Sequence, residues 1–407
     1  MSNKPKTFFL LQYAAAITGC ITVTGYGALI SWSSPAIPYL ESEESKIKIT
    51  YNQSSWIASI NLIGLSIGFF LNPFFVDRIG RKWTLIMLSA PQLISWLLII
   101  LAKNYISLYC ARLIGGIAYG AGLCTMILYV VEVSNKNNRG IFLLLIRLSR
   151  GIGGTLTIIL GAYLNYQQMN YILLLLPILF IIIFLFMPDS SYFIEINQKS
   201  DNKCSKTVKT LNPQTGDFEN SKLDNDKIEL PKTENKKLSN KNSFSEKISE
   251  TRIWKLFSNP TNRKAMIIVI STGLLNILSG QTIIGVYGQQ ILSYKTTPMD
   301  PKKAMILWSL LNTLTCLVGI NIIEKINRRT ILIFSGIIST ISLVIIGVYF
   351  QIEKSLYNFT YLGWIPIICL SINSIFLSSG ASNLFSIYQG EMFSSDIKSI
   401  AVTVLHL

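Results

Sequence analysis

The sequence predicts an all-α polytopic membrane protein made of two related halves. Half of the 407 residues are hydrophobic and 14% are charged, and the charges gather in short patches and one long polar stretch. The apolar runs are about 20 residues long, enough for a helix to cross a hydrocarbon core while satisfying its own backbone hydrogen bonds. The run Asp77-Arg78-Ile79-Gly80-Arg81-Lys82 recurs as Glu324-Lys325-Ile326-Asn327-Arg328-Arg329, each copy between two apolar runs. Glu132 and Arg139 lie seven apart after one apolar run, and Glu391 and Lys398 lie seven apart after another. Matching charged turns in both halves mark a transporter built from repeats.

Ten spans are expected, at roughly 9–31, 56–76, 83–102, 107–131, 141–164, 169–187, 265–291, 303–323, 331–350 and 362–387. The first is too long, and too closely followed by others, to be only a cleaved signal. The fourth carries Gly115, Gly116, Gly120 and Gly122, a smooth stripe that lets another helix approach closely. The fifth holds Arg147 and Arg150; a charge inside a span is costly and a functional candidate by default. Snorkelling of the long stem to the nearby surface is the competing reading for Arg150. Residues 195–249 are rich in Lys, Asn, Ser, Thr and acids, too polar to bury a core, and are expected to be disordered. Residues 254–257, Trp254 to Phe257, are a candidate amphipathic turn beneath the seventh span. The expected organisation is an N-terminal half of six spans over 1–188, a cytoplasmic linker over 189–264, and a partial C-terminal half over 265–407. The second half holds spans seven to ten and the start of an eleventh near Ile400, so an incomplete C-terminal bundle is expected.

The net charge of +15 is an orientation signal before it is anything else. Bases concentrate at Lys4 and Lys6, Arg78 to Lys82, Lys136 and Arg139, 199–264, Lys325 to Arg329, and Lys398, alternating with segments rich in neither sign. The positive-inside rule places those segments and the N-terminus in the cytoplasm, most simply at the plasma membrane, with lipid and not nucleic acid as the partner. Two sequons, at Asn52 and Asn358, fall in loops that the same rule makes external, which marks both as candidate glycosylation sites. The six cysteines follow no metal or disulfide spacing, and the single histidine, His406, leaves no imidazole chemistry elsewhere. No cofactor, metal or enzymatic activity is expected. No Asp or Glu lies deep within a span, which favours passive movement over proton coupling.

The charged turns read as an inner gate. Asp77, Glu132, Glu324 and Glu391 lie at inner helix ends, within loop reach of Arg78, Arg81, Arg139, Lys325, Arg328, Arg329 or Lys398. Ion pairs across the halves would close the inner side; setting topology alone is the competing role. Polar residues inside spans are uncharged: Asn276, Ser279, Gln281, Thr282, Tyr287, Asn312, Thr313, Thr315 and Asn373. Amides and hydroxyls both donate and accept, which suits a polyhydroxylated neutral solute, although each also serves for helix-to-helix bonding.

Several motifs resemble the sugar porter family of the major facilitator superfamily, particularly its insect facilitated trehalose transporters. Trp32-Ser33-Ser34-Pro35-Ala36-Ile37-Pro38 resembles W-S-S-P-A-x-P, Ser55 to Ser59 resembles S-W-I-G-S, and Asp77 to Lys82 matches D-R-x-G-R-K. Arg112, Gly116 and Gly120 are similar to R-x-x-x-G-x-x-x-G, followed by Tyr129 and Glu132 of Y-x-x-E and by Arg139-Gly140. Pro188 to Phe193 resembles P-E-S-P-Y-F, Leu278-Ser279-Gly280 with Tyr287 resembles the family's seventh span, and Gly390 to Phe393 resembles G-E-I-F. The resemblance implies a major facilitator fold, twelve helices in two pseudo-symmetric bundles, and a sugar held near the midplane and exposed alternately to each side. It places Asn312 at a sugar-contacting asparagine, Thr282 at another asparagine, Asn276 and Ile277 at two glutamines, and Arg147 at a sugar-binding glutamine. Ser386 stands for the tryptophan of G-P-x-P-W, and Pro73 for a glycine ahead of Asp77. The implied function is facilitative transport of a mono- or disaccharide such as trehalose; the alternatives are a non-transporting sugar sensor or a truncated inactive relative.

Overall fold

The computed structural model describes residues 6–134, 139–187, 258–293, 299–355 and 363–393, together with 401, 404 and 405. Thirteen helices run through the described residues: α1 Lys6–Ser31, α2 Ser33–Glu41, α3 Tyr51–Ile79, α4 Arg81–Ile100, α5 Tyr105–Val133, α6 Arg139–Tyr163, α7 Tyr166–Phe184, α8 Pro260–Leu278, α9 Gln281–Leu292, α10 Pro301–Lys325, α11 Arg328–Ser355, α12 Ile365–Ser379 and α13 Ala381–Glu391. Three pairs are continuous rods with a break, α1–α2, α8–α9 and α12–α13, so ten rods stand where ten spans are expected. Eight of the rods are long and apolar enough to cross a membrane, α8–α9 and α12–α13 each counting as one. Most of the expected linker, 189–257, lies outside the described residues, as do Asn358 and Lys398.

Local chemistry explains the ends and the breaks. Thr50 and Gln53 form a reciprocal capping box that starts α3, and the Asn104 side chain accepts from the Ser107 N–H at 2.9 Å to start α5. Gly80, at φ 90°, makes the sharp corner between α3 and α4, a backbone conformation that a side chain would strain. Pro35 and Pro38 remove donors from the first rod, which bends at Trp32 without ending: the Trp32 N–H still reaches the Ala28 carbonyl. The seventh and tenth spans were expected as single helices, but they break at Gly280, φ 74°, and at Gly380. A mid-rod break leaves backbone groups without helical partners, tolerable in a membrane only where protein or a polar cavity meets them.

The N-terminal half packs around α5, which is buried along most of its length. Its glycine stripe is a packing surface: a Cβ at Gly116 or Gly120 would run into the α3 backbone at Asn61 or Leu65. The core there is dominated by Trp32, Trp96, Tyr119, Tyr129, Phe180 and Phe184. In the other half α11 turns Phe334, Ile337, Ile341, Val344 and Val348 outward, an apolar face suited to lipid. The halves meet where α2 lies on α9 and where α6 lies on α10 and α13. Ala401 packs with Ala265, Met266, Val269 and Phe393.

Candidate functional site

The charged turns collect at one end of the bundle, where the two repeats build the same ion pair twice. At the start of α4, Arg81 sets Nη2 2.9 Å and Nε 3.0 Å from Glu132 Oε1 at the end of α5. At the start of α11, Arg328 sets Nη1 2.8 Å from Glu391 Oε2 at the end of α13. Arg81 and Arg328 occupy the same place in the repeated run, and Glu132 and Glu391 the same place in the second repeated pair. Pairs across the halves were expected; these two lie within a half, because the acid ends the rod that packs beside the rod its arginine begins. Arg78 and Arg329 are exposed at the same end. Asp77, Glu324 and Arg139 also lie there, but their side chains fall outside the described ones.

A second concentration of polar groups sits at the two breaks. Gln281, at the start of α9, donates Nε2 to Asn312 Oδ1 of α10 at 2.7 Å and to Ser378 Oγ of α12 at 3.3 Å. The Ser378 hydroxyl also donates to Asn312 Oδ1, and the Ser382 hydroxyl of α13 donates to Asn276 Oδ1 of α8. Ser382 reaches Gln281 Oε1 at 3.3 Å as well. Three rods thus converge uncharged amides and hydroxyls near mid-length. Behind them Asn373 Nδ2 donates to the Ser279 carbonyl at 3.3 Å, meeting a backbone acceptor at the break. Beside the cluster, Thr155 of α6 bonds the Ser309 carbonyl and the Thr313 hydroxyl of α10, joining the halves.

Towards the end opposite the charged turns the halves touch again. Tyr287 of α9 packs with Ile37 of α2 and Ala58 of α3, and Gln290 Nε2 donates to Glu41 Oε2 at 3.0 Å. Beside this contact lies a cavity of about 430 Å³ lined by Pro38, Glu41, Gln289, Gln290, Asp300 and Lys302 among others.

The sequence pattern of a family described as "Sugar (and other) transporter" matches residues 12–405. The chain belongs to that family. It is 23% identical to the "Facilitated trehalose transporter Tret1-2 homolog" of Drosophila simulans, over 98% of this chain and 79% of the relative. It is 21% identical to the "Facilitated trehalose transporter Tret1" of Bombyx mori, over 99% of this chain and 76% of the relative. Among solved structures, a D-xylose-proton symporter superposes with a TM-score of 0.67 at 13% identity, over 97% of this chain and 86% of that one. An inward-open xylose transporter from E. coli gives 0.65 at 14% identity, over 98% and 86%. The fold of this family member is therefore the major facilitator fold, and the protein crosses its membrane many times.

Of the residues predicted to hold substrate in this transporter, Asn276 and Asn312 meet in the cluster. Thr282 is exposed, Tyr287 turns to the other half, and Arg147 lies at the seam near Cys316. Ser378 and Ser382 were missed, and Gln281 was seen only as one polar residue among many. The available signal was the spacing of the two serines, one turn apart on either side of Gly380.

Proposed function

We propose that this protein is a facilitative sugar transporter that moves a mono- or disaccharide, trehalose or glucose-like, by alternating access. The observation that carries the reading is the uncharged cluster of Asn276, Gln281, Asn312, Ser378 and Ser382 at two broken rods beside the seam between halves. Such groups exchange hydrogen bonds with sugar hydroxyls at little net cost, since each amide and hydroxyl both donates and accepts. The names of the insect relatives support trehalose as the first substrate to try. Asn312 and Asn276 bind sugar directly in this reading, and Tyr287 with Glu41 and Gln290 closes the outer side.

The charged turns form the cytoplasmic gate, and the two halves rock about the seam with residues 189–259 as their linker. The N-terminus and the linker are cytoplasmic, the membrane is the plasma membrane, and Asn52 and Asn358 are external and glycosylated. Asn52 is exposed in the first turn of α3, as an acceptor must be. Uptake of labelled glucose and trehalose into proteoliposomes tests the reading. Flux above that of empty vesicles is expected; flux equal to it for both sugars sinks the proposal, and binding without flux would make the protein a sensor.

A further inference from the structure

α6 carries two guanidinium groups into the body of the protein. Arg147 lies roughly 12 Å along the axis from Arg139 at 1.5 Å per residue, and Arg150 most of a turn deeper. Arg150 sits half a turn round the helix from Ile141 and Ile152, the apolar side chains that α6 exposes. On one flank Gly153 abuts the Thr24 backbone of α1; on the other Gly151 and Thr155 abut Thr313 of α10. Both arginines therefore look away from lipid, into the seam between α1 and α10. Tyr26 lies near Arg150 and Cys316 near Arg147, whose Nε is buried without a hydrogen-bond partner. Among the described residues neither arginine has a carboxylate partner; the ion pairs are those of Arg81 and Arg328. Cys316 stands one turn from Asn312 on α10, so Arg147 borders the amide cluster.

Arg147 is a half-buried charge at membrane depth with no carboxylate partner among the described residues, the exposed Arg150 lies most of a turn away, and a ligand that supplies the missing charge relieves the cost at Arg147. We propose that Arg147 and Arg150 form an anion-binding pole of the substrate site, so that the preferred substrate is a carbohydrate bearing a carboxylate or phosphate. The acid group lies against α6, where guanidinium forks match oxyanions, and the hydroxyls lie on Asn276, Gln281 and Asn312. This rests on the carbohydrate reading above and narrows it.

The test is calorimetric binding of glucose, glucuronate, glucose 6-phosphate and inorganic phosphate to the purified full chain at low salt. At least one acidic sugar should bind ten times more tightly than glucose or better. The ratio of acidic-sugar to glucose affinity should fall to about one in Arg147→Gln and persist in Arg147→Lys. Added sodium chloride should weaken acidic-sugar binding to the unaltered protein and leave glucose binding alone, a readout that needs no variant to fold. Equal affinity for glucose and both acids, or a preference that survives Arg147→Gln combined with Arg150→Gln, overturns the inference. Phosphate binding as tightly as the acidic sugars overturns it too, by showing a site for an ion alone. No binding of any sugar, neutral or acidic, overturns the carbohydrate reading itself and this inference with it.

Discussion

The two halves build the same ion pair from equivalent residues and bury it differently. Arg81 and Glu132 are 6% and 14% exposed, whereas Arg328 and Glu391 are 46% and 45% exposed. In the N-terminal half the pair is enclosed, and Arg81 also points Nη1 at the Val76 carbonyl, 3.4 Å away. In the C-terminal half Arg328 lies over α13, its guanidinium 5.9 Å from the ring centroid of the half-buried Tyr388. A duplicated motif thus keeps its geometry while its energetic weight diverges, because desolvation and not distance sets what losing one partner costs. In the gate proposed above, the enclosed pair would act as a structural tie and the exposed pair would be the one that opens and closes.

That contrast is broken or sharpened most directly by neutralising each acid. Glu132→Gln leaves the Arg81 charge enclosed without its carboxylate and should cost about 3–5 kcal/mol, measured by thermal or denaturant unfolding in detergent. Asn312→Ala touches neither pair; it should weaken sugar binding by about 1–3 kcal/mol through the unsatisfied groups it leaves, with stability less affected than by Glu132→Gln. Undiminished affinity would remove Asn312 from the site. Glu391→Gln should cost only about 0–1 kcal/mol of stability yet slow flux, by weakening a contact that opens and closes. If its stability cost equals that of Glu132→Gln, the division between tie and gate fails. The smallest effect is that of salt: raising ionic strength towards 1 M, where the Debye length is about 3 Å, should reduce the difference between unaltered protein and Glu391→Gln while leaving the Glu132→Gln difference nearly intact.

Much of the architecture was legible because it is written in local patterns. Span length, apolar content and the sign of the turns depend on each segment's own contact with lipid or water, so the ten rods fall where ten spans were expected. Asn276 and Asn312 were legible as polar residues because such side chains stand out inside apolar runs, and the family resemblance singled them out. Gln281 did not stand out further, and Ser378 and Ser382 look like ordinary small helical residues until the rods are packed. Tyr287 reads equally well as a substrate contact or a contact between halves, and only the packed rods show that it touches Ile37 and Ala58 of the other half.

The sequence by itself determined that this chain is a polytopic repeat protein with charged turns at matching places, since hydropathy and charge act residue by residue. The tertiary structure decided the partners: Arg81 with Glu132 and Arg328 with Glu391 inside each half, and amides gathered where Gly280 and Gly380 interrupt their rods. Partner choice follows from which helix faces meet at hydrogen-bonding distance, and a segment's own periodicity says which face is polar but not what lies opposite it.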